Sequence, residues 1–139
     1  MNVRSVMPHT DLAVSPWNTV REAAKLMRDK GVAALPVKAD GRPLGLVTDR
    51  EIVLHLLPEA RDAGARPVSD AMIRKPVSCY ADQDVAEAAV IMGDEQVRHL
   101  LVLDRSGNLV GVLSVEDIAE NASEELAGQA LGEIVEKRV

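Results

Sequence analysis

Two pairs of residues have the types and spacing to hold a vicinal diol. Thr48 with Glu51, and Ser114 with Asp117, each place a hydroxyl three residues ahead of a carboxylate. An ionised carboxylate offers two acceptor oxygens, which suits two neighbouring hydroxyls such as the 2′ and 3′ groups of a ribose. The same spacing also makes a helix capping box, so a purely local structural role stands beside the chemical one. Glu51 is one methylene longer than Asp117, which moves its carboxylate by ~1.5 Å. Two unequal sites are therefore expected. A second set is cationic: Arg98 and His99 in one region, Arg50 in another. A guanidinium fork matches phosphate geometry, and a histidine adds a pH-dependent donor. Ordinary surface or salt-bridge roles are the alternative for each. His9 and His55 have no partners visible in the sequence, and three scattered histidines with one cysteine give no metal-ligand spacing.

The elements that position these residues occur twice. At a spacing of 65 the chain pairs Met7 with Met72, Val20 with Val85, Ala23 and Ala24 with Ala88 and Ala89, Met27 with Met92, and Leu35 with Leu100. One inserted residue shifts the spacing to 66, which pairs Gly45 with Gly111, Thr48 with Ser114, Glu51 with Asp117 and Ile52 with Ile118. One fold unit therefore occurs twice, over residues 1–60 and 61–139. Each copy opens with a short extended stretch, Leu12–Ser15 and Val77–Tyr80. Thr19 to Glu22 and Asp84 to Glu87 then read as capping boxes. Val20, Ala23, Ala24 and Met27, and their counterparts Val85, Ala88, Ala89 and Met92, fall on one helical face. Gly31 ends the first helix and Gly93 weakens the end of the second. Strands are expected at Ala33–Val37 and His99–Leu103, hairpin turns at Asp40-Gly41 and Ser106-Gly107-Asn108, and returning strands at Leu44–Val47 and Leu109–Leu113. Helices then begin near Asp49 and Val115. Pro58–Pro67 reads as a connector, and Ala119–Lys137 as one mostly polar helix that packs over the core or forms a dimer contact.

Composition narrows the function classes. The 139 residues carry a net charge of −6 and include no Phe, one Trp and one Tyr. An acidic, aromatic-poor chain lacks both the basic face and the stacking platforms of a nucleic-acid binder, although a local basic cluster can still hold a small anion. Hydrophobic residues make up 47% of the chain, enough for an aliphatic core. No apolar run reaches the ~18 residues of a membrane span, and the N-terminus lacks the apolar stretch of a signal peptide. A cytoplasmic location is expected, and the single Cys79 fits a reducing compartment. Trp17 stands too isolated for a role. No nucleophile–base pair, glycine-rich phosphate loop or metal cluster points to catalysis.

The segments Gly31–Val37 and Gly45–Ile52, with Gln96–Val102 and Gly111–Ile118, resemble the cystathionine-β-synthase (CBS) domain. Two tandem copies are what that family calls a Bateman module, and the resemblance runs from about Ser5 to Ala119. It implies an α/β (α+β) fold of two β-α-β-β-α repeats packed around a pseudo-twofold axis. It implies regulation rather than catalysis, with no obligatory cofactor. The regulatory ligand would be an adenosine-containing nucleotide (AMP, ADP, ATP, S-adenosylmethionine or NAD) bound in the cleft between repeats. The family's Ser/Thr-x-x-Asp arrangement assigns Ser114, Asp117, Thr48 and Glu51 to the ribose, and because Glu51 departs from the usual Asp the Ser114/Asp117 site is expected to be the better nucleoside binder. Arg98, His99 and Arg50 would face the phosphate. Val14, Ser15 and Pro16, with Val77, Ser78, Cys79 and Tyr80, would line the adenine pocket. A homodimer signalling to a separate effector protein is the implied assembly. The alternative is an interaction scaffold whose ligand sites have degenerated.

Overall fold

The computed structural model describes residues 1–138. In chain order its elements are α1 (Val3–Val6), α2 (Val20–Lys30), β1 (Ala34–Ala39), β2 (Arg42–Thr48), α3 (Asp49–Glu51), β3 (Ser78–Tyr80), α4 (Val85–Glu95), β4 (His99–Leu103), β5 (Leu109–Ser114), α5 (Val115–Asn121) and α6 (Glu124–Ile134). Two compact units result. One is residues 12–76; the other joins residues 1–11 to residues 77–139. The first eleven residues thus fold with the second sequence repeat. The segment that matches them, around Met72, folds with the first repeat.

In the 12–76 unit, β1 and β2 form an antiparallel hairpin closed by Asp40 and Gly41, both at positive φ (53° and 75°). That pair of left-handed residues is what an Asp-Gly turn supplies. Helix α2 opens on a full Thr19/Glu22 capping box and ends at Gly31, φ 66°. Val14, Val20, Ala23, Met27, Leu35, Val37 and Val47 form the core. The expected opening strand Leu12–Ser15 contracts to one parallel bridge, Val14 to Val37. The reason lies across the sheet. Pro36 stands where the second repeat has Leu101, and Leu101 donates its N–H to the Val77 carbonyl at 3.1 Å. Proline has no N–H to give. After α3 the helix widens, with the Leu57 N–H donating to the Ile52 carbonyl at 3.0 Å. The connector runs as turns, and within it Ala63 enters the core at 5% exposure. Ile73 then closes the outer edge of β2 by a two-way bridge with Leu46, at 2.7 and 3.0 Å.

The other unit has a three-stranded sheet, β3-β4-β5, with β3 parallel to β4 and β5 antiparallel to it. Its core gathers Val3, Val6, Met7, Ala88, Ala89, Met92, Leu100, Val102, Leu113 and Ile118. Gly93 lies in the last turn of α4, which ends at Glu95 and is capped by Gln96 at φ 55°. One expectation needs correction. Ala119–Lys137 is not one helix. It breaks at Ala122, and the Ser123 hydroxyl caps the Leu126 N–H of a separate α6. The break lets α6 turn back over α4 and α5 and bury Ala127 and Ala130. Gly93 makes room for it, since a Cβ there would collide with the Glu133 side chain.

Candidate ligand site

Ser114 ends β5, and its side chain starts α5. The Ser114 hydroxyl accepts the Asp117 N–H at 3.0 Å, and the Ser114 N–H donates to Asp117 Oδ2 at 2.8 Å. The capping box anticipated as the alternative reading is therefore formed, and it fixes the carboxylate at the mouth of the sheet. Asp117 is half-buried. Burial holds its carboxyl above the ordinary carboxylate value, against the two Ser114 hydrogen bonds that lower it; Glu116 and Glu120 add to the upward push. A desolvated carboxylate gains most from a ligand that brings its own hydroxyl donors.

His99 is the cross-strand partner of Ser114, and the Arg98 carbonyl accepts the Val115 N–H at 3.0 Å. Arg98, His99, Ser114 and Asp117 therefore share one end of the three-stranded sheet. Val77, just before β3, and Ser78, its first residue, lie beside Leu101 of β4, toward this same end. Tyr80 lies elsewhere. It pairs with Leu103, four residues along β4 from His99, which is ~13 Å at strand spacing. The Arg105 guanidinium stacks 4.1 Å over its ring and also bonds both oxygens of Asp82. Cys79 points into the core, where burial pushes its thiol up to about 11.

The first repeat differs. The Thr48 hydroxyl accepts the Glu51 N–H at 3.1 Å, but the Glu51 carboxylate lies 3.8 Å from His55 Nε2, one turn ahead. The extra methylene has carried it toward its own helix. Arg50 is exposed in the first turn of α3. Val14 and Pro16 are buried, and Ser15 forms a closed loop with Asn18, its N–H donating to Asn18 Oδ1 at 2.8 Å. Among the described residues no cluster of His, Cys, Asp and Glu could hold a metal ion, and no helix is long and apolar enough to cross a membrane.

One feature escaped the sequence reading. A cavity of about 460 Å³ opens on the 12–76 unit between α2 and the helix that follows β2, lined by Ala24, Met27, Arg28, Val32, Asp49, Ile52 and Val53 among others. The signal was the run Ile52-Val53-Leu54-His55-Leu56-Leu57, too apolar for one buried face. It leaves Val53, Leu54 and Leu57 about half exposed.

Comparison with known proteins places the fold. The CBS domain family model matches residues 3–58 and 68–124. The chain belongs to the CBS domain family and carries two copies of the domain. It is 37% identical to the CBS domain-containing protein YhcV of Bacillus subtilis, over 99% of this chain and 98% of that one. A conserved CBS domain protein of unknown function from Thermoplasma acidophilum superposes with a TM-score of 0.85 at 25% identity, over 96% of this chain and 75% of that one. The CBS domain pair of protein MJ0100, solved with 5-methylthioadenosine and S-adenosyl-L-methionine, matches at a TM-score of 0.75 and 21% identity, over 86% and 98% of the two chains. CBS pairs are regulatory modules.

Proposed function

We propose that this protein is a regulatory sensor of an adenosine-containing small molecule, and that Ser114 and Asp117 hold its ribose. The observation that carries this reading is the half-buried Asp117 carboxylate, fixed by Ser114 at the sheet end that also bears Arg98 and His99. Desolvation of a carboxylate is costly, and two ribose hydroxyls would offset it. The arginine and histidine suit a phosphate or another anionic substituent. A related fold that holds S-adenosyl-L-methionine and 5-methylthioadenosine supports the adenosine class. In this reading Val77 and Ser78 lie nearest the base, and Thr48, Glu51 and Arg50 belong to a weaker second site. The protein pairs with itself, works in the cytoplasm and acts on a separate effector. Ligand binding shifts its conformational population by the difference in affinity between two states.

The test is thermal unfolding against AMP, ADP, ATP, S-adenosylmethionine and NAD, with Asp117→Asn alongside. Asparagine keeps an acceptor for the cap but loses the charge. A ligand at about 100 times its dissociation constant should stabilise the protein by ~2.7 kcal/mol, several degrees in melting temperature. The shift should vanish in Asp117→Asn. No shift with any of the five ligands would reject the adenosine reading. The scaffold alternative has support at one place, the first repeat, where Glu51 is turned toward His55.

A further inference from the structure

The cavity between α2 and the helix after β2 lies wholly within the 12–76 unit and is separate from that repeat's ribose motif. Thr48, Arg50 and Glu51 do not line it. Its volume, about 460 Å³, falls in the range of small-molecule sites, ~300–1,000 Å³. Ala24, Met27, Val32, Ile52 and Val53 give it apolar walls, and Arg28 and Asp49 are its two charged groups. The twin unit shows that the fold does not need those charges. There Gly93 stands for Arg28 and Val115 for Asp49, while Ala89, Met92, Val97, Ile118 and Ala119 match the apolar positions. In that unit α6 packs on α4 and α5, the Glu133 side chain lies over Gly93, and Ala89, Met92, Val115 and Ile118 are at most 6% exposed. Where the face is covered, both positions are uncharged; where it is open, they carry one charge of each sign. The helix that forms one wall differs as well. Val115–Asn121 is regular α-helix, whereas Ile52–Leu56 winds as a single π turn, a rare form found frequently at functional sites.

Neither charge is neutralised in place. Arg28 Nε donates to the adjacent Asp29 at 3.0 Å, an exposed pair of little strength that leaves the terminal guanidinium nitrogens to an anion. Asp49 Oδ1 accepts the Arg50 N–H at 2.7 Å, and among the described residues no cation forms an ion pair with it. Arg28 and Asp49 therefore share one cavity without closing on each other. A ligand with a single anionic group would satisfy Arg28 and be repelled by Asp49; a simple amine would do the reverse. A ligand with both charges at one end and an aliphatic chain at the other satisfies the whole lining. The cavity also reaches the C-terminal end of α2, where Gly31 lines it, and that end of a helix favours a cation.

We propose that this cavity binds a free aliphatic α-amino acid, its carboxylate on Arg28, its ammonium on Asp49 and its side chain against Met27, Ile52 and Val53. Ser114 and Asp117 have no part in it.

The test is titration calorimetry of the full chain with L-leucine and L-methionine. Leucinamide, isocaproate and glycine run beside them and lack, in turn, the carboxylate, the ammonium and the side chain. At least one of the two amino acids should bind. Each of the three analogues should bind about tenfold more weakly or worse, the scale of one charge-assisted hydrogen bond or one buried aliphatic side chain. Arg28→Gln and Asp49→Asn should each cause a loss of similar size. Both residues are exposed, and asparagine keeps the acceptor that the Arg50 N–H uses, so melting temperature and circular dichroism should stay at wild-type values. Ala24→Leu fills the cavity without touching either charge, and it should also abolish binding. No heat with either amino acid, isocaproate binding as tightly as leucine, or binding unchanged in any of the three variants would overturn the proposal. Asp117→Asn should leave the amino-acid response intact while removing any response to AMP or ATP, so either reading can fail without the other.

Discussion

The 12–76 unit and its twin share one apolar pattern, and four of their differences decide how each core is finished. Pro36 replaces Leu101 and reduces a strand to one bridge. Ile73 can donate to the edge of β2, whereas its counterpart Pro8 has no N–H to offer the matching edge. Glu51 replaces Asp117 and turns to His55. Arg28 stands where its twin has Gly93; one helical face is open and the other is packed by α6. Identical apolar spacing thus fixes two similar cores, while single backbone donors and single side-chain volumes decide how each core is finished.

Deleting matched core side chains gives the largest expected contrast. Met92 is fully enclosed beneath α6, and Met27, 7% exposed, borders the open cavity. Met92→Ala should cost ~4 kcal/mol, because the void left behind is sealed and dry. Met27→Ala should cost ~2 kcal/mol, since solvent already reaches the neighbouring space. Equal losses in urea unfolding would mean that α6 does not protect its unit.

The paired glycines give a smaller contrast. A Cβ on Gly45 would strike the carbonyl oxygen of Ile73, in backbone that is itself bridged to Leu46. A Cβ on Gly111 would come 2.6 Å from the Met7 methyl, the free end of a flexible side chain. Gly45→Ala should destabilise by ~1–3 kcal/mol and Gly111→Ala by less than ~1 kcal/mol. Denaturant midpoints of the two variants measure the difference, and a reversed order would place the rigid contact in the wrong unit.

The two complete capping boxes give the smallest effect and the sharpest sign. Glu22 is exposed, and the Thr19 backbone hydrogen bond, with bonds from the Thr19 and Asn18 side chains, lowers its carboxyl from 4.5. Its contribution is present above the ordinary carboxylate value and fades as pH falls through the lowered one. Asp117 is raised by burial from 3.8. Its folded form holds the proton more tightly than the unfolded chain does, so its contribution is full below 3.8 and fades as pH rises through the raised value. Asp117→Asn should remove that decline and change stability at neutral pH by no more than ~1 kcal/mol, the scale of a cap. Glu22→Gln should instead flatten the acid side of the curve. Stability measured from pH 3 to 7 separates the two cases, and parallel curves for both variants would contradict the difference in burial.

Much of this was legible in the residues alone. The doubled spacing, the caps at Thr19 and Ser114, the Asp40-Gly41 turn and the strand His99–Leu103 are set by local propensity and periodicity, which need no distant partner. The Ser114/Asp117 pair was legible as a cap and as a diol ligand together, because one geometry serves both. What the sequence left open depends on contacts far along the chain. Gly93 read as a weak helix end until α6 placed the Glu133 side chain against it, and the opening strand at Leu12 read as intact until Pro36 lay opposite. The tertiary structure alone decided that residues 1–11 fold with the second repeat, that Glu51 turns to His55, and that one of two matched helical faces is covered. Spacing along the chain fixes which side chains share a face, but only packing fixes what lies against that face.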